Sequence, residues 1–130
     1  MKCLGIGLFL ALAAGIGAAQ AQEAAAGEAV FARCTLCHRI GPNAANALGP
    51  ALNGLVGRKA GMLAGFAYSA AMKASGLTWD EKALDVYLIS PKTAVPGNKM
   101  QFPGLPEVKD RINLIAYLKQ FGADGQKAAR

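Results

Sequence analysis

The sequence predicts an all-α domain of three main helices plus a short one, with long loops wrapped around a core that is not protein. Three observations carry that prediction. No segment alternates apolar and polar residues with the period of two that a half-buried strand shows. Three segments instead carry helical patterns with recognisable start and stop residues. Between them the chain from Arg39 to Tyr68 is rich in glycine, holds Pro42 and Pro50, and shows no sustained period. Loops of that length are uncommon in a compact domain unless something organises them.

The chain has 130 residues, enough for one domain. Its start reads as a leader. Lys2 supplies the positive end, Leu4 to Ile16 is an uncharged apolar run, and Ala19 and Ala21 are small residues placed before a cut. A secretory signal peptide over 1–21, cleaved between Ala21 and Gln22, and a mature domain over 22–130 are expected. The apolar run is short for a membrane span, and Cys3 precedes it, whereas a lipidated cysteine would follow it. Cleavage removes Cys3 and Lys2, so the formal charge falls from +6 to +5 and the cysteines left are Cys34 and Cys37. Export places the domain in an oxidising compartment, the periplasm.

The elements follow in order. Ala24 to Ala32 is rich in helix formers and runs into the cysteines. Ser69 to Ala74 is the short helix, closed by Gly76. Thr78-Trp79-Asp80-Glu81 reads as a capping box, opening a helix that continues to about Ile89 and is stopped by Pro91. The last helix takes Pro106 as a first-turn proline and ends at Gly122. It carries an apolar stripe of Ile112, Ile115, Leu118 and Phe121, which something must cover. Between the last two helices, "SPKTAVPGNKMQFPG" holds two Pro-Gly turns.

The chemistry concentrates in "CTLCH". A redox dithiol would sit between a strand and a helix, a context this chain lacks. A structural zinc site needs four ligands, and His38 is the sole histidine. A disulfide between Cys34 and Cys37 would close a tiny loop and stabilise little. Haem attachment uses all three residues. Positions i and i+3 are neighbours on a helical turn, so Cys34 and Cys37 can form thioethers to two vinyl groups on one porphyrin edge while His38 binds iron. C-x-x-C-H is the signature of that attachment. The opposite face of the iron has no second histidine. Met62, Met72 and Met100 are the mature methionines, and the turn at Pro96-Gly97 before Met100 favours it modestly as the residue folded over a flat ligand.

"CTLCH", "GPALNGLVGRKAG", "GFAYSAAMKASGLTW", "YLISPKTAVPGNKMQF" and "LIAYLK" together resemble the successive motifs of class I cytochrome c, especially its small soluble bacterial members close to the mitochondrial protein. The resemblance runs from Gly27 to about Gln120. It implies one covalent haem c per chain, with His38 and Met100 as axial ligands. It implies that the Pro50 carbonyl accepts the hydrogen bond of the other His38 nitrogen, and that Tyr87 lies beside the Met100 sulfur. It implies further that Arg58, Tyr68 and Trp79 surround a haem propionate, and that Gly27 and Phe31 meet Leu114 and Tyr117 at a helix crossing. The chain departs from the family where Met72 stands in place of a polar residue, where Asn98 stands in place of threonine, and in a thinner lysine rim.

A haem ligated on both faces has no open coordination position, and methionine ligation raises its potential. The expected function is a periplasmic one-electron carrier and not an enzyme. It would shuttle between membrane complexes, from a cytochrome bc complex or a dehydrogenase to an oxidase or photosynthetic reaction centre. The alternative is a small haem peroxidase or ligand-binding haem sensor. Ala29 to Trp79 holds five basic residues and no acidic one, while Asp80, Glu81 and Asp85 cluster elsewhere. A basic rim of Arg33, Lys92 and Lys99 facing acidic membrane partners is the expected docking surface. Export argues against nucleic acid as the partner, and a monomer with no stable membrane insertion after cleavage is expected.

Overall fold

The computed structural model describes residues 14–128, in five helices joined by loops: α1 (Ala14–Phe31), α2 (Ala70–Ala74), α3 (Glu81–Ile89), α4 (Pro91–Ala94) and α5 (Val108–Leu118). Among these residues there is no strand, and β-type pairing is limited to two isolated bridges, Lys59 with Thr78 and Phe121 with Lys127. The apolar run of the leader lies mostly outside the described residues. α1 is longer than the sequence reading and crosses the expected cleavage point at Ala21–Gln22 without a break. Among the described residues, no helix is long and apolar enough to cross a membrane.

α1 and α5 cross closely. Ala24, Val30 and Phe31 are buried on one face of α1, at the spacing of one helical stripe. Gly27 lies between them, and any Cβ there would collide with the Asn113 carbonyl and press on Tyr117. The two backbones can therefore approach only because position 27 is glycine. Phe31 and Tyr117 close the crossing with ring centroids 5.3 Å apart, and Tyr117 meets Phe121 edge-on at 5.2 Å. Such pairs are worth about 0.5–1.5 kcal/mol each beyond their buried area.

Three local readings are corrected. The α3 cap is Asp80, whose side chain accepts from the Ala83 amide at 2.7 Å. Thr78 is drawn instead into the bridge with Lys59. Pro91 ends α3 but also opens α4 as its first residue, with Ser90 as the cap. A proline is tolerated there because the first-turn amide has no helical partner in any case. Pro106 lies just outside α5, whose N-cap is Glu107.

The α5 stripe is also displaced by one position at its start. Ile112 is 47 % exposed, while Arg111 is only 5 % exposed. A buried guanidinium is tolerable when its donors are used. Arg111 gives Nε to Asp85 at 2.7 Å and Nη1 to the carbonyls of Leu105 and Pro106 at 2.9 and 2.8 Å. It thus ties α5 to α3 and to the loop that carries Leu105, one of the most deeply buried side chains at 1 % exposure. Cys34, Leu52, Tyr68, Met100 and Phe102 are partly buried and pack against this core.

Candidate haem site

The attachment motif continues the turn that α1 leaves unfinished. Cys34 N bonds Phe31 O at 2.8 Å, and the amides of Cys37 and His38 both reach Cys34 O, at 3.1 and 2.9 Å. This places the two cysteines on one helical turn, half-buried and not joined by a disulfide. Burial pushes the Cys34 thiol up to about 11, against partial relief from Arg33. A reactive redox thiol has the opposite shift, so Cys34 lacks that feature of a dithiol switch.

His38 is held by Pro50 and Gly49. Its Nδ1 lies 2.8 Å from Pro50 O. A carbonyl can only accept, so the proton sits on Nδ1 and Nε2 keeps its lone pair. The peptide that follows is pinned from its other edge, because Ala51 N donates to Asn46 Oδ1 at 2.9 Å. Asn46 in turn donates to Ala64 O at 3.3 Å. Gly49 forms the wall: a Cβ there would stand 2.5 Å from Cε1 of the imidazole and 2.9 Å from Nε2. Its amide bonds Cys37 O at 2.8 Å, fastening the wall to the motif. Burial lowers the imidazole pKa, offset only in part by the Pro50 bond. The ring is therefore neutral at neutral pH, the form that binds a metal.

Met100 stands on the loop after α4. Tyr87, from α3, places its hydroxyl 3.4 Å from the Met100 sulfur and 3.5 Å from Asn98 Oδ1. Burial pushes the Tyr87 phenol up to about 12, so it stays protonated and can donate to sulfur. The other methionines are placed differently. Met62 is 66 % exposed, and Met72 is buried in α2 within the main core.

The expected propionate group is assembled in part. Arg58 is half-buried, donating to Asn53 O at 3.0 Å and Ala51 O at 3.3 Å. Burial lowers its pKa while the neighbouring Tyr68 raises it. Tyr68 is raised by burial and lowered by Arg58, so these two side chains are electrostatic neighbours. Trp79 joins them through the backbone, its amide bonding Arg58 O at 2.9 Å. Its ring, however, packs edge-on against Tyr87 at 4.9 Å. Gly27 and Phe31 meet Tyr117 as expected.

Sequence reasoning missed Gly49, Asn46 and Asn53. Asn53 brackets Gly41, accepting from its amide at 2.8 Å and donating to its carbonyl at 2.9 Å. Asn46 holds the peptide that His38 leans on. The available signal was asparagine among glycine and proline, where a side-chain amide substitutes for missing backbone pairing.

Two thiols on one turn, a neutral imidazole with a free nitrogen and a thioether form a donor set suited to covalent haem. The fold and this set define a c-type haem protein. No protein-family model matches the chain. Curated relatives do. The chain is 52 % identical over 127 residues to cytochrome c2 of Blastochloris viridis, covering 98 % of this chain and 99 % of that protein. It is 58 % identical over 102 residues to cytochrome c2 of Rhodoblastus acidophilus, covering 78 % and 95 %. Among solved structures, cytochrome cH from Methylobacterium extorquens superposes with a TM-score of 0.70 at 50 % identity, over 74 % of this chain and 96 % of that one. The chain belongs to the class I cytochromes c, electron carriers with covalently attached haem c.

Proposed function

We propose that this cytochrome is a periplasmic one-electron carrier whose single haem c is joined to Cys34 and Cys37 and ligated by His38 and Met100. The observation that carries this reading is the pinned imidazole. His38 ends the attachment motif with Nδ1 committed to Pro50 and Nε2 free. When bound, the haem supplies one-electron redox chemistry at its exposed edge. The residues supply the rest. Pro50 and Gly49 fix the orientation of His38, and Tyr87 donates toward the Met100 sulfur. Arg58 and Tyr68 offer donors to a propionate, whose buried negative charge needs pairing. Were His38 and Met100 both to hold the iron, no position would be left open for a substrate, which supports a carrier over an enzyme. A peroxidase or ligand sensor would need an open position, and the native reduced protein would then bind carbon monoxide readily.

The leader over 1–21 directs export, and the match to the Blastochloris relative covers nearly the whole chain, leader region included. Docking to acidic membrane complexes falls to Lys92 and Lys99, both exposed. Arg33 contributes less, because Asp110 sits 3.2 Å from its guanidinium. The test is mass spectrometry of the proteolytic fragment spanning Cys34 to His38. A haem increment on that fragment is expected, and its absence from the purified coloured protein would overturn the attachment.

A further inference from the structure

The loop that carries Met100 has few backbone bonds of its own. Asn98 N reaches Val95 O at 3.1 Å, and beyond that turn the loop is held by side chains. One of them, Asn98, does three things at once. Its Nδ2 donates to Pro91 O and to Val95 O, each at 2.8 Å, and its Oδ1 accepts from Met100 N at 2.8 Å. Both carbonyls can only accept and the Met100 amide can only donate, so the chemistry of the partners sets which way the carboxamide points. The two N–H bonds end on Pro91, which opens α4 after the cap Ser90, and on Val95, which caps its C-terminus. The acceptor ends on the backbone of the ligand-bearing residue itself.

The geometry points to Asn98 as a positioning residue: its carboxamide clamps the backbone of Met100 to α4 and so sets how often the methionine leaves the iron. This rests on Met100 being the second ligand. A hydroxyl, the threonine form of this position, has a single proton to give. It could accept from Met100 N and donate to one carbonyl, but not to both. Asn98 therefore adds one tie to this loop that a threonine cannot make. An aspartate keeps the shape and loses both donors, leaving a carboxylate against two carbonyl dipoles.

The test is the rate at which imidazole enters the ferric holoprotein, since it binds only when Met100 is off. Each net hydrogen bond lost favours the open loop several-fold, so Asn98→Asp is expected to speed entry about tenfold or more. Asn98→Thr, which retains a donor and an acceptor, should lie between it and wild type, and serves if the aspartate variant does not assemble. Asp80→Ala removes the α3 cap, away from this loop. It should lower the denaturation midpoint while leaving imidazole entry unchanged. A wild-type rate in both Asn98 variants would overturn the proposal, as would equal acceleration in Asp80→Ala. The far-red sulfur-to-iron band of Met100→Ala separates the two readings. If the band is absent there and the Asn98 rates are wild type, only the clamp is wrong. If the band persists there, the ligand assignment fails and the clamp with it.

Discussion

The two residues proposed as axial ligands are held in different ways. His38 is 9 % exposed and sits at the end of a helical turn. It is walled by Gly49 and bonded to a peptide that Asn46 grips from behind. Met100 is half-buried on a loop with a Pro96-Gly97 turn, secured by the Asn98 carboxamide and the Tyr87 hydroxyl. The histidine side is over-determined by hydrogen bonds and by close packing against backbone. The methionine side depends on two side chains, one from α3 and one from its own loop. Tighter holding on one side and looser holding on the other suits the proposed ligation, in which the haem is kept permanently and the iron–thioether bond is weak.

That contrast is broken or sharpened by substitution. The largest effect falls on the anchors. Cys34→Ala or Cys37→Ala should reduce the yield of stable holoprotein to a small fraction of wild type, read as haem absorbance per unit of purified chain. Next, Gly49→Ala drives a methyl group into the imidazole. It should cost about 1–3 kcal/mol of holoprotein stability, the usual range for overpacking, measured by denaturant titration. If Gly49→Ala is neutral, the proximal wall is softer than its geometry implies.

The Tyr87 phenol yields a pH signature. Its pKa is raised from 10.0 to about 12 by burial, so the folded state holds that proton more tightly than the unfolded chain. The resulting stability is complete below pH 10 and is lost as pH rises toward about 12. Tyr87→Phe should flatten that part of the decline. The measurement belongs on the reduced protein, where iron keeps its preference for sulfur. An unchanged slope would mean that other groups govern the alkaline limb. The smallest effect is on the surface. Lys92→Gln or Lys99→Gln should slow electron transfer to an acidic partner about two- to fivefold at low salt, fading as salt screens the charges. Lys127, which lies 5.4 Å from the centre of the Phe121 ring, should matter little when neutralised. Equal effects at all three lysines would mean that the rim is only a solvated face.

What was legible in the sequence tracks how local the cause is. The C-x-x-C-H turn is written in five consecutive residues, and the α2 and α3 caps lie within a few residues of their helices. Pro50 as the partner of His38 lies twelve residues away, and only a family resemblance pointed to it. Gly49 was unreadable, because nothing in a loop glycine announces that an imidazole will rest on it. Thr78 and Asp80 are both good caps, and a bridge from distant Lys59 decided between them. The α5 stripe was misplaced at Ile112 because periodicity treats arginine as polar. Arg111 is buried only because Asp85 and two carbonyls, from other elements, meet its donors.

Met100, and neither Met62 nor Met72, is the residue proposed to complete the iron coordination opposite His38. The most direct measurement is the weak far-red sulfur-to-iron absorption band of the oxidised protein, recorded at neutral pH in three single variants. The band should be present in Met62→Ala and Met72→Ala and absent in Met100→Ala. Its survival in Met100→Ala together with its loss in either of the other two would contradict the assignment.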